Sequence, residues 1–271
     1  MMRVGFYQFA PTFGDAAGNV AHVRGALSGL EADLIVLPEL FNTGYQFVSE
    51  DEARALAEPI PGGETCTALM DLADEHGMYI AAGPAERDGG EIYNACVLVG
   101  PEGCVGRYRK LHLFYEEKRW FQPGKEPPPV FDVGGVRLGL MICFDWIFPE
   151  TARMLALQGA DILCHPSNLI FTLCHQAMLI RCLENRVFAV TCNRTGRDER
   201  KPGETLTYTG GSQVVDPRGR LLVRAGDKDP EGQVVEIQPE LSRDKDFNKF
   251  NNIFRDRRVE IYEILNRPPV T

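Results

Sequence analysis

The sequence has no excess of positive charge: 38 acidic residues outnumber 29 basic ones, giving a formal charge of -9. Such a chain is repelled by nucleic acid phosphates and by anionic membrane surfaces, so neither nucleic acid nor membrane is expected as a partner. It contains no apolar run near the ~18 residues of a membrane span, and its opening "MMRVGFYQFAPTFGD" is too polar for a targeting leader. A cytoplasmic protein is the expectation. Zinc spacing is missing as well. Eight cysteines are present, yet neither CxxC nor HxxxH occurs, and the nearest approach is "CH" at 164–165 with "CH" at 174–175. No metal site is expected, and no low-complexity segment interrupts the chain.

What is present is ordinary globular material. The 271 residues are 44% hydrophobic and 25% charged, enough for a large buried core. Cys66, Cys96, Cys104, Cys143, Cys164, Cys174, Cys182 and Cys192 mostly fall inside apolar runs, which predicts buried, reduced thiols in a chain that needs no disulfide staples.

The strongest organising signal is an internal repeat. "RVGFYQF" at 3–9 resembles "RLGLMIC" at 137–143, and "ADLIVLPEL" at 32–40 resembles "ADILCHPSN" at 160–168. In the same order, "MYIAAGPAER" at 78–87 answers "RVFAVTCNRTG" at 186–196, and "NACVLVGPEGCVGRYRK" at 94–110 answers "GGSQVVDPRGRLLVRAG" at 210–226. Each member of the last pair is two apolar runs around a turn, the pattern of a β-hairpin. "NVAHVRGALSGLEA", "ETCTALMDLADEHG", "PETARMLALQGA" and "CHQAMLIRCLENR" place apolar residues at three- and four-residue steps and predict helices between the strands. Each half reads β-α-β-α-β-hairpin. Two such halves can pack sheet on sheet with helices outside, which predicts an α/β fold of four layers, an αββα sandwich. A single doubly wound sheet would explain the alternation but not the two hairpins.

The Pro-rich "QPGKEPPPVFDVGG" at 122–135 reads as an extended connection too short to separate domains, so residues 1–271 are expected to form a single domain. The tail, about 242–271, begins charged, ends apolar and has no match in the repeat. It is expected to wrap the domain or reach a neighbouring subunit.

Chemistry in such sheets collects at the C-terminal ends of strands. Glu39 closes "ADLIVLPE", Lys110 closes "CVGRYRK", and Cys143 closes "RLGLMIC" ahead of a helix with Pro149 near its start. Strand, sharp turn, nucleophile and helix expose a reactive atom above a sheet. A thiol with its ordinary pKa near 8.5 is only slightly ionised at neutral pH, so it needs a base or a cation beside it. Glu39 could take its proton and return it to a leaving amine, while Lys110 could stabilise thiolate and oxyanion. Cys143 with His165 is a rival pairing, which would leave the lysine and the glutamates unused.

Along almost its whole length the chain resembles the nitrilase superfamily of carbon-nitrogen hydrolases. The matching pieces are "LIVLPELFNTGY", "YRKLHLFYEEKRWFQPG", "GLMICFDWIFPETARMLALQGADILCHPSN", "RCLENRVFAVTCNRTG", "GGSQVVDPRGRLL" and "NIFRDRRVEIY". The resemblance implies a catalytic Glu39, Lys110 and Cys143, with Glu117 as the second glutamate; Glu116 beside it leaves a one-residue ambiguity. It further implies the αββα sandwich, a homodimer or larger assembly, a thioester intermediate, and no metal or organic cofactor.

Closeness to these motifs places Tyr45, His112, Phe114, Phe144, Trp146, Asn168 and Phe171 at the substrate pocket. Their apolar and aromatic character suits a small, largely aliphatic amide or nitrile. Relatives that hydrolyse N-carbamoyl-D-amino acids carry an arginine shortly after the cysteine, where this chain has Trp146 and Ile147. The sequence Cys143-Phe144-Asp145 is closer to the short amidase-like branch and small archaeal nitrilases than to nitrilases reading Cys-Trp-Glu. An amide is the first expectation, a nitrile or an N-carbamoyl amine the alternative. An interaction domain of the same fold is the non-enzyme reading.

Overall fold

The computed structural model describes residues 1–267; positions 268–271, the end of the expected tail, lie outside the described residues. The first half runs β1 (Met2–Gln8), α1 (Ala16–Leu27), β2 (Leu34–Glu39), α2 (Glu50–Leu56), α3 (Glu64–His76), β3 (Tyr79–Gly83), β4 (Ala85–Asp88), β5 (Glu91–Gly100) and β6 (Gly103–Arg109). After α4 (Glu117–Trp120) and β7 (Val130–Val133), the second half runs β8 (Val136–Leu140), α5 (Pro149–Leu157), β9 (Ile162–Pro166), α6 (Leu173–Asn185) and β10 (Phe188–Cys192). A hairpin of β11 (Arg197–Lys201) and β12 (Glu204–Thr207) follows, then β13 (Gln213–Val215), β14 (Leu221–Arg224) and β15 (Glu231–Ile237).

The repeat is visible in the pairing. β1, β2 and β3 are parallel neighbours and β5 returns antiparallel on β3. β8, β9 and β10 are likewise parallel, with β13 returning antiparallel on β10. Strand alternation then decides the layers. Val4, Phe6, Leu34, Val36 and Ala81 join the cluster that contains Leu138, Leu140 and Leu163 of the second sheet. Tyr7, Ile35, Leu37, Ile80 and Ala82 point the other way, onto Val23 and Leu27 of α1 and Cys66, Leu69 and Leu72 of α3. Helices α5 and α6 cover the second sheet, completing the αββα sandwich. Pro149 opens α5, where its missing N–H is not needed.

Each sheet is extended at the edge of its first strand, from opposite directions along the chain. The Pro-rich connection supplies β7, antiparallel to β8, while β15 crosses from the second half to lie antiparallel on β1. Neither strand belongs to the repeat, nor do α2 and the β11–β12 hairpin. The tail is anchored at its start: Arg243 pairs with buried Asp161, and Lys245 donates to the Asn185 and Arg186 carbonyls at the end of α6. Phe254 packs against the core, but Val259, Ile261, Ile264 and Leu265 lie exposed. All eight cysteines are unpaired, and all but Cys104 are buried. No described helix is long and apolar enough to cross a membrane.

Candidate active site

Glu39 is the last residue of β2, Lys110 follows β6, and Cys143 opens a 3-10 turn just beyond β8. The sandwich brings these ends together in its interior. Lys110 Nζ donates to Glu39 Oε1 at 2.6 Å and to both Glu117 oxygens at 2.8 Å. Of the two neighbouring acids, Glu117 therefore faces the lysine, whereas Glu116 pairs with Arg119 and Lys201. Tyr45 donates its hydroxyl to Glu117 Oε1 at 2.7 Å, and Asn94 Nδ2 to Glu39 Oε1 at 2.7 Å. Glu39 Oε2 is buried and has no hydrogen-bond partner among the described residues.

These charges act on one another in a buried interior. Burial alone would lower the Lys110 pKa, but the Glu117 and Glu39 carboxylates outweigh it and raise it, so the ammonium holds its proton. Burial, with Glu39 repulsion added, pushes Glu117 up to about 7 against the pull of Lys110. The Cys143 thiol is pushed well up, first by burial and then by Glu39; Lys110 and the nearby backbone N–H of Asn168 oppose this. At rest the sulfur keeps its proton, and an attack by sulfur requires an adjacent base. Burial also holds Tyr45 neutral, with Glu117, Glu39 and Cys143 all raising it.

Cys143 adopts φ +40°, a left-handed conformation that costs a non-glycine residue about 1–2 kcal/mol. Buried Asp145 holds this turn. It accepts from the Ile142 N–H at 2.9 Å, the Tyr108 hydroxyl at 2.8 Å and His112 Nδ1 at 2.7 Å. Tyr108 and His112 flank Lys110, so one carboxylate ties the cysteine turn to the lysine segment. His165 Nε2 lies 2.9 Å from the Cys143 carbonyl oxygen, which can only accept. That nitrogen carries the proton, and burial lowers the His165 pKa to about 4. The histidine is thus committed to the backbone of Cys143, which removes the Cys-His pairing.

The remaining residues separate by position. Phe114 and Phe144 have ring centroids 5.0 Å apart, Phe144 meets Phe148 edge-on, and His112 stacks on Phe148. Asn168 Nδ2 donates to the Glu39 carbonyl at 2.9 Å. Trp146 packs against the inner core, and Phe171 is 58% exposed ahead of α6. Sequence reasoning assigned no role to Asn94, Tyr108 or Asp145. A polar Asn94 opening the apolar run "NACVLV" was the available signal for the first; the other two depend on contacts between distant segments.

A family model described as carbon-nitrogen hydrolase matches residues 3–245. The chain is 45% identical to a nitrilase from Pyrococcus abyssi, covering 97% of this chain and 99% of that one. It is 35% identical to an (R)-stereoselective amidase from a Pseudomonas species, over 95% and 92% of the two chains. Among solved structures it resembles an amidase from Nesterenkonia, at 26% identity and a TM-score of 0.80, covering 98% of this chain and 100% of that one. That structure is of a glutamate-to-glutamine mutant of the amidase in which acrylamide has added to the active-site cysteine. The chain belongs to the carbon-nitrogen hydrolases of the nitrilase superfamily.

Proposed function

We propose that Glu39, Lys110 and Cys143 hydrolyse a small, largely aliphatic amide to its acid and ammonia through a cysteine thioester. The observation that carries this reading is the buried Lys110 ammonium shared by Glu39 and Glu117, with Glu39 Oε2 left free to accept a proton. Glu39 removes the thiol proton as sulfur bonds to the carbonyl carbon. The positive charge of Lys110 and the N–H of Phe144, which stands at the start of a turn where such donors lack internal partners, stabilise the oxyanion. Glu39 then gives its proton to nitrogen, the C–N bond breaks and ammonia leaves. Water attacks the thioester with Glu39 as base, and the C–S bond breaks to release the acid and restore the thiol. Glu117 and Tyr45 hold the lysine in place.

The Phe114, Phe144 and Phe148 cluster beside the cysteine turn supports an aliphatic acyl group, and positions 144–148 just after Cys143 hold no arginine to grip a carboxylate. A small nitrile is the second reading, supported by the likeness to the Pyrococcus abyssi nitrilase. It would pass through a thioimidate that takes up water and loses ammonia. Ammonia release over short amides, nitriles, ω-amides and N-carbamoyl amines tests both. Preference for N-carbamoyl amino acids would overturn this pocket reading. The exposed apolar residues of Val259–Asn266 support a homodimer or larger assembly, and light scattering at the mass of one 30.2 kDa chain would contradict it.

A further inference from the structure

We infer that Asn168 determines specificity by accepting an N–H from the scissile nitrogen, so that the site selects a primary amide over the nitrile of the same carbon chain at the binding step. This rests on the amide-hydrolysis reading above and deepens it. The argument is an inventory of donors and acceptors. Lys110 spends its three N–H groups on Glu39 Oε1 and the two Glu117 oxygens, and Tyr45 spends its hydroxyl on Glu117. Asn94 directs its amide NH2 to Glu39 Oε1 and, at 3.4 Å, to Glu117 Oε2. The side-chain donors of the cluster are therefore engaged. Three acceptors are not: Glu39 Oε2, Asn94 Oδ1 and Asn168 Oδ1 are buried without a partner among the described residues.

The thiol proton accounts for Glu39 Oε2, which leaves two carboxamide oxygens. Asn168 is the better placed. Its NH2 end must face the Glu39 carbonyl, 2.9 Å away, because reversing the amide would set oxygen against oxygen. Its backbone N–H lies near the Cys143 sulfur. With 4% of its surface exposed, the residue is held between the Cys143 sulfur and the Glu39 main chain, and its free oxygen has little access to solvent. A buried acceptor without a donor is costly and calls for an N–H-rich ligand. The nitrogen of a primary amide brings two such donors. A nitrile brings none until sulfur has attacked and its nitrogen has been protonated, so the two substrates differ at binding and converge afterwards.

The test uses Cys143→Ala protein, in which binding is separated from chemistry, with butyramide and butyronitrile as calorimetric probes. Butyramide is expected to bind about tenfold tighter than butyronitrile, as one hydrogen bond to a buried acceptor allows. Adding Asn168→Leu should remove this preference by weakening butyramide alone. N,N-dimethylbutyramide, which lacks N–H, should bind Cys143→Ala as weakly as the nitrile and supplies an arm independent of whether the Asn168 variant folds. An unchanged ratio in the double variant, equal binding of amide and nitrile to Cys143→Ala, or no binding of butyramide at all would overturn the inference. Failure of the wild-type protein to hydrolyse either compound would instead defeat the reading on which it rests.

Discussion

In the first half the parallel strand β2 ends in Pro38-Glu39; its counterpart β9 ends in Pro166, followed by Ser167. The chain beyond β1 reaches buried Phe9 where the chain beyond β8 reaches Cys143, and the first hairpin leads to Lys110 where the second leads to Gly226. The two halves share their strand order and differ in what stands at the strand ends. The acid and the ammonium lie in one half and the thiol in the other, so neither half contains the site. The repeat supplies equivalent positions, and packing one sheet on the other turns a difference in sequence into a shared interior cluster.

Removing the second half's contribution should have the largest effect. Cys143→Ala is expected to fold and to lose at least about 10⁴-fold in kcat/KM, since the remaining groups have no nucleophile to activate. Melting temperature measured beside activity separates this from unfolding. Removing either contribution of the first half should cost less. Glu39→Gln and Lys110→Met are each expected to slow single-turnover acylation by about 10²–10⁴-fold with smaller changes in substrate binding.

The tie between the halves can be cut with Asp145→Ala. It would strand the Ile142 N–H, the Tyr108 hydroxyl and His112 Nδ1, and release the left-handed turn at Cys143. A stability loss of about 2–4 kcal/mol in urea is expected, with reduced activity where the protein remains folded. The smallest effect concerns Glu117. Its pKa is raised to about 7 from 4.5, so the stability linked to its protonated form is complete below 4.5 and is lost as pH rises through 7. Glu117→Gln should abolish that slope. The melting temperature of the wild type relative to the variant should fall by about 2–5 °C between pH about 5 and 7.5.

The duplicated skeleton was legible because its signals are local. Apolar runs, three- and four-residue steps and hairpin turns mark β1 to β3 and β8 to β10, and the polar residues ending those runs mark Glu39, Lys110 and Cys143. What escaped depends on distant partners. β15 carries few apolar residues and has no counterpart in the repeat, and its place on β1 follows from an open sheet edge that only the assembled fold creates. Asp145 reads locally as an acid beside a cysteine, and its role arises from Tyr108 and His112 more than thirty residues earlier. Glu116 and Glu117 are equivalent as neighbours in sequence. The first turn of α4 separates them, directing Glu117 inward to Lys110 and Glu116 outward to Lys201.

The central claim is that the thiol of one half, activated by the acid of the other, carries the acyl group. Rapid acid quench of the protein during turnover of butyramide, followed by intact-mass and peptide mapping, tests it most directly. The account predicts a butyryl adduct on the peptide containing Cys143, formed within a turnover, absent from Cys143→Ala and slowed in Glu39→Gln. An adduct on another residue, or continued hydrolysis by Cys143→Ala protein, would contradict it.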